Sequence, residues 1–187
     1  AQHLASTGSR TLLIDCDLRN PSLTRQVTGR SSGGLLDVLY RSGSLDQLAF
    51  IDPVTGLHFL STGARSAVAQ TDELLGSERM RELIASLKTA YDYVVLDLPP
   101  IVPTVDARAI APSVDAFVYV VEWGKTPRQV IQQALKGSEQ ITSKLIGSVL
   151  NKVRHDSLRL YDSYAALTYG QDYGSTPTPT RGKAEAA

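Results

Sequence analysis

A three-layer α/β domain on a mainly parallel sheet is what this 187-residue sequence predicts, and three observations predict it. Near-continuous apolar runs alternate with amphipathic ones, as strands covered on both faces alternate with the helices that cover them. Two of the apolar runs end in acids: Leu13-Ile14-Asp15-Cys16-Asp17-Leu18-Arg19, and Tyr93-Val94-Val95-Leu96-Asp97 followed by Leu98-Pro99-Pro100. A later run ends in Asn151. In open α/β sheets ligands bind outside the carboxyl ends of the strands, where all four of these polar residues fall.

Taken in order, residues 1–8 read as the last turns of a helix closed by Gly8, because glycine accepts the left-handed backbone that ends helices. Strands are expected at 11–15, 57–61, 93–97, 117–122 and 145–150, and amphipathic helices at 34–40, 77–90, 105–111 and 127–141. The helix at 77–90 carries the clearest signature. Ser77 is its cap, Glu78 its first-turn acid, and Met80, Leu83, Ile84 and Leu87 its apolar stripe. Pro127 suits the first turn of the next helix, with Thr126 as cap. From Ser175 the chain turns to Ser-Thr-Pro-Thr-Pro-Thr, Arg-Gly-Lys and alanines. That composition cannot offset the entropy of ordering, so 175–187 is expected to be a disordered tail behind one domain at 1–174.

Composition removes several classes of function. Lys+Arg and Asp+Glu stand at nineteen each, so no net field favours nucleic acid or an anionic membrane. The single cysteine, Cys16, excludes an intrachain disulfide framework and reads as a small buried residue. No apolar run approaches the length of about 18 residues that a membrane helix needs.

Strand-end carboxylates suit a hydrated Mg²⁺ beside a nucleotide phosphate. Magnesium takes oxygen ligands, keeps several waters and uses one or two protein carboxylates. The partner of such a site is a phosphate loop, GxxxxGK(S/T), whose backbone N–H groups and lysine hold the phosphates. No such string occurs in these residues; Gly124-Lys125 and Gly182-Lys183 lack its context. In a βαβ unit the opening helix is the one that follows that loop. The expectation is therefore an N-terminally truncated P-loop NTPase-like domain, with the loop a few residues ahead of Ala1.

Together these motifs resemble the bacterial tyrosine autokinases, or BY-kinases, that accompany exopolysaccharide and capsule export. The segment from Leu12 to Arg19 is similar to their Walker A′ motif, hydrophobics followed by DxDxR, and the segment from Val94 to Pro100 to their Walker B, hydrophobics followed by DxPP. Gly33-Gly34-Leu35-Leu36-Asp37-Val38-Leu39 resembles the GLxDVL helix, and Glu73-Leu74-Leu75, Met80 and Tyr91-Asp92 the approach to Walker B. Thr71-Asp72 stands where the family usually has Asn-Pro. Asp-Leu-Pro-Pro and Val121-Glu122-Trp123-Gly124 are most similar to the succinoglycan-type transport proteins of rhizobia.

The resemblance implies ATP and Mg²⁺ as cofactors. It implies Asp15 and Asp97 in the metal shell, one A′ acid, preferentially Asp15 over Asp17, as acceptor of a tyrosine proton, and Asn151 at the adenine edge. Arg19 is read as a phosphate or subunit contact. Tyr161, Tyr164, Tyr169 and Tyr173, half of the eight tyrosines, fall within thirteen residues and resemble the family's autophosphorylated cluster. The implied partners are further copies of the chain in a homo-oligomer and a membrane polysaccharide co-polymerase segment, on the same or a separate polypeptide, with no nucleic acid. The implied location is the cytoplasmic face of the inner membrane. The competing readings are a MinD/ParA-type ATPase switch, which shares the carboxylates but gives no reason for the tyrosines, and a catalytically inactive adaptor of the co-polymerase.

Overall fold

The computed structural model describes residues 1–29, 33–40, 42–63 and 70–153. The chain divides into two compact units, one of Ala1–Tyr119 with Arg128–Gly147, the other of Val120–Pro127 with the segment from Ser148 onward.

In the first unit, helix α1 (Gln2–Ser6) ends as the sequence predicts. Gly8 sits at φ +92° and donates its N–H to the Ala5 carbonyl, while Ser9 donates to Leu4. This double bond pattern is the Schellman closure of a helix. Strand β1 (Thr11–Asp15) follows, with Leu12, Ile14 and Asp15 wholly buried. After it come α2 (Ser22–Val27), α3 (Leu35–Leu39), α4 (Leu45–Leu48), β2 (Phe50–Ile51) and β3 (His58–Leu60). Then come α5 (Thr71–Leu75), α6 (Glu78–Ala90), β4 (Tyr93–Asp97), α7 (Asp106–Ile110) and a 3₁₀ turn at Ala111–Ser113.

The sheet order is β2-β3-β1-β4. Strand β1 runs parallel to both neighbours, and β2 pairs antiparallel with β3. Helix α6 covers the sheet as its stripe dictates. Met80, Ile84 and Leu87 are buried in one cluster with Leu12, Ile14, Leu35, Leu60, Leu75 and Ile110, and Ser77 Oγ accepts the Met80 N–H as the expected cap. Helix α3 lies against the end of β3 through backbone contact. Leu35 and Leu36 donate to the carbonyls of Ser61 and Thr62, and a Cβ on Gly34 would stand 2.2 Å from the Ser61 carbonyl oxygen.

Strands β5 (Phe117–Glu122) and β6 (Leu145–Asn151) form a separate two-stranded sheet. In the first unit Phe117 donates to the Lys144 carbonyl, and in the second Trp123 donates to that of Asn151. The expected helix at 127–141 is two helices, α8 (Arg128–Lys136) and α9 (Glu139–Thr142), interrupted at Gly137, a weak helix former. Pro127 lies just ahead of α8 rather than in its first turn. The expectation of strands buried on both faces holds for β1 and β3 but not for β5, where Val118 and Val120 are exposed, or for β6, where Ile146 is 75% exposed. Among the described residues β6 has one partner strand, and so has β4. The tail at 175–187 and the four clustered tyrosines lie outside the described residues.

Candidate functional site

Strand pairing builds the site. In the parallel register of β1 and β4, Asp15 stands opposite Asp97, and the Cys16 N–H donates to the Asp97 carbonyl at 2.8 Å. Two acids far apart in sequence thus leave the sheet side by side at its carboxyl end.

Their surroundings differ. Asp15 is wholly buried and held by three donors: the Thr24 N–H at 2.8 Å and Thr24 hydroxyl at 2.7 Å on Oδ2, and the Asp17 N–H at 3.1 Å on Oδ1. Thr24 Oγ1 in turn accepts the Thr62 N–H at 3.0 Å, so one buried relay joins β1, α2 and the segment after β3. Asp17 is half-buried and accepts the Asn20 N–H at 2.9 Å. Asp97 is exposed, with no hydrogen bond to its carboxylate among the described residues. Its burial on the strand side, and then the charges of Asp15 and Asp17, raise its carboxyl above the ordinary carboxylate range. The same surroundings act on Cys16: burial first, then Asp15 and Asp97, push its thiol far up, so it is held as an uncharged core residue.

On the same side of the sheet Arg19 reaches Asp106, the first residue of α7, with Nε 3.4 Å from Oδ2. The strand β4 continues through Leu98-Pro99-Pro100 to that helix, with Thr104 Oγ1 donating to the Pro100 carbonyl at 2.7 Å. Sequence reasoning missed Thr24, Thr62 and Asp106. Only Asp106 left a local signal, as an acid opening a helix soon after Walker B. The threonines act through partners 9 and 38 residues away.

Asn151 ends β6 in the second unit. Its side-chain oxygen accepts the Lys152 N–H at 2.9 Å, a strand-to-turn bond, and Lys152 takes a left-handed φ of 59°. Among the described residues no group of three or more His, Cys, Asp or Glu is arranged around a common metal position. An exposed and a buried carboxylate, both oxygen donors raising each other's electrostatic energy, still fit a divalent ion that keeps most of its water.

A parallel-centred α/β sheet with paired acids at its carboxyl end defines the class: a P-loop NTPase-like domain. The AAA domain family profile matches residues 1–155. The succinoglycan biosynthesis transport protein ExoP of Rhizobium meliloti is 40% identical over 91% of this chain, which spans 22% of that protein's length. The tyrosine-protein kinase CpsD of Streptococcus agalactiae is 34% identical over 91% of this chain and 73% of its own. Among solved structures, the VpsO kinase domain superposes with a TM-score of 0.75 at 32% identity, covering 82% of this chain and 74% of that one. The chain belongs to the BY-kinase family of bacterial tyrosine kinases, the family whose motifs its sequence resembles.

Proposed function

We propose that the chain is the nucleotide-handling part of an ATP- and Mg²⁺-dependent protein-tyrosine autokinase that regulates exopolysaccharide polymerisation and export. The observation that carries this reading is the register of Asp15 with Asp97 and the uncompensated charge it creates. When bound, Mg²⁺ supplies neutralisation of the developing phosphate charge and a template for in-line transfer. Asp97, the exposed carboxylate, would hold the ion. Asp15 would add negative charge beside it, with lone-pair capacity left on Oδ1. The resemblance favours Asp15 as acceptor of the tyrosine proton; its complete burial favours Asp17 instead, which is half-open on the adjoining turn. Asn151 is assigned to the adenine edge and Arg19 to phosphate.

The substrate is assigned to Tyr161, Tyr164, Tyr169 and Tyr173, phosphorylated between subunits of a homo-oligomer. Each phosphate adds about −1.5 to −2 charges, enough to drive clustered copies apart. The name of one relative, a succinoglycan biosynthesis transport protein, supports a polysaccharide-transport setting, and the partner is assigned to a membrane co-polymerase at the cytoplasmic face of the inner membrane. Among the described residues no helix is long and apolar enough to cross a membrane.

Catalysis needs the phosphate loop that these residues do not contain. Strand β4 is paired on one side only among the described residues, so its second edge can take a further parallel strand carrying that loop. The coding sequence ahead of Ala1 is expected to supply GxxxxGK(S/T) within about twenty positions. The loop-bearing polypeptide should form phosphotyrosine with Mg²⁺ and ATP. Replacing the four clustered tyrosines with Phe should remove most of it while leaving nucleotide binding intact. Phosphate found by mass spectrometry mainly on Tyr91 or Tyr93 would sink the substrate assignment, and an upstream frame without the loop would promote the inactive-adaptor reading.

A further inference from the structure

Asp106 is a costly residue for a purely structural role. Its side chain is 1% exposed, and its Oδ1 has no hydrogen-bond partner among the described residues. Its Oδ2 has one charged contact, the Arg19 Nε at 3.4 Å, which is long for a charge-assisted bond. A buried carboxylate satisfied on one oxygen by one long bond is less stable than an apolar side chain of similar size. The positive end of α7 favours an acid in its first turn, but that small gain does not offset burying a carboxylate so poorly partnered.

Arg19 gives a reason for the acid. It follows Asp17 by two residues on the turn leaving β1, and its side chain is 44% exposed. A guanidinium carries five N–H donors in a rigid fork, of which the Nε–H is taken by Asp106. The four on the two Nη atoms have no partner among the described residues. A fixed negative charge beneath Nε limits the rotamers of a long side chain and leaves the bidentate edge for an anion. Lysine donates from a single nitrogen and lacks the planar fork that presents two separate edges, so it cannot keep this geometry toward both anions.

We propose that Asp106 is a positioning residue. It holds Arg19 so that the Nη groups bind a phosphate of the nucleotide whose metal Asp97 serves. Because α7 is joined to β4 by residues 98–105, the arrangement also ties the arginine to the Walker B strand. The inference rests on the kinase reading above and adds a residue to it.

Two measurements test it. In the 187-residue chain without nucleotide, the Arg19 Nε–H resonance should be protected from solvent exchange, and Asp106→Asn should abolish that protection. In the loop-bearing polypeptide, ADP affinity measured by calorimetry should fall about tenfold in Asp106→Asn and equally in Arg19→Ala. The double variant should be no weaker than either single one, the non-additivity expected of residues acting as a unit. Additive losses, or an unprotected Nε–H in the wild type, would overturn the proposal. If Asp106→Asn fails to fold by circular dichroism, Arg19→Lys decides: it should lose the full tenfold, and wild-type affinity would refute the bridging role. Absence of ADP binding in the wild type would refute the kinase reading itself, while the Nε–H measurement decides the ion pair independently.

Discussion

The two ends of the β1–β4 pair are built on opposite electrostatic plans. At the amino ends Arg10 and Asp92 close on each other. Arg10 Nη2 meets Asp92 Oδ1 at 2.6 Å, Nε meets Oδ2 at 3.3 Å and the Arg10 N–H meets Oδ2 at 2.9 Å, while Asp92 donates its own N–H to the Arg10 carbonyl. At the carboxyl ends, five residues along the same strands, Asp15 and Asp97 stand side by side with no ion-pair partner among the described residues, and Arg19, on the turn that follows, is tied to another acid, Asp106. One end is finished within the described residues. The other keeps its carboxylates unpaired, and the proposed metal site rests on that difference.

The strongest test of that contrast is Asp97→Asn in the loop-bearing polypeptide. It should lower the initial rate of phosphotyrosine formation by at least about a hundredfold, the scale of losing one preorganised electrostatic group. A rate within twofold of wild type would show that the metal is held elsewhere. Asp92→Asn, at the finished end, should leave that rate unchanged.

Next in size is the buried relay. Thr24→Val keeps the volume but removes the hydroxyl bond to Asp15 and the acceptor of the Thr62 N–H. Urea unfolding should show a loss of about 1–3 kcal/mol. An unchanged midpoint would mean the relay contributes nothing to the fold.

Acid should act on the two ends with opposite sign. The raised carboxyl of Asp97 means that folding favours its protonated form. Its contribution is fully present below the unfolded carboxylate value and is lost as pH rises through the higher folded one. Asp97→Asn should therefore stabilise at pH 7, by less than about 1 kcal/mol because the side chain faces solvent, and the gain should vanish below about pH 4. Millimolar Mg²⁺ should reproduce part of it in the wild type. The Arg10 guanidinium, by hydrogen bond and then charge, holds Asp92 below the ordinary range. Its contribution is present at neutral pH and lost as pH falls through that lowered value, so Asp92→Asn should destabilise at pH 7 and be neutral in strong acid. Thermal melts of the three proteins from pH 3 to 8 decide the matter; parallel curves would erase the distinction between the ends.

The smallest effect concerns Cys16, which sits between two site acids yet is wholly buried. The native chain should resist iodoacetamide at neutral pH and react once unfolded. Rapid native alkylation would show that the carboxyl end of β1 opens in solution.

Much of this was legible because it was local. The acids ending Tyr93–Asp97 and Thr11–Asp15, the stripe at Met80, Ile84 and Leu87, the Ser77 cap and the closure at Gly8 each depend on neighbours within a turn or a strand. The roles of Thr24, Thr62 and Asp106 were not, because each is defined by a partner that only chain folding brings near. Burial of β6 was misread for a related reason. An apolar run such as Ile146-Gly147-Ser148-Val149-Leu150 specifies a strand but not how many neighbours that strand has. The break of the 127–141 helix at Gly137 was visible as a residue and outweighed by the apolar periodicity around it.

The approach of Gly34 to Ser61 has a practical use for genetics. Alanine there would add one methyl group to a place where backbone already touches backbone, on an element that carries none of the proposed chemistry. Gly34→Ala is thus a natural choice for a heat-sensitive allele: a chain whose site residues are all intact, yet whose dose of folded molecules is set by the thermostat.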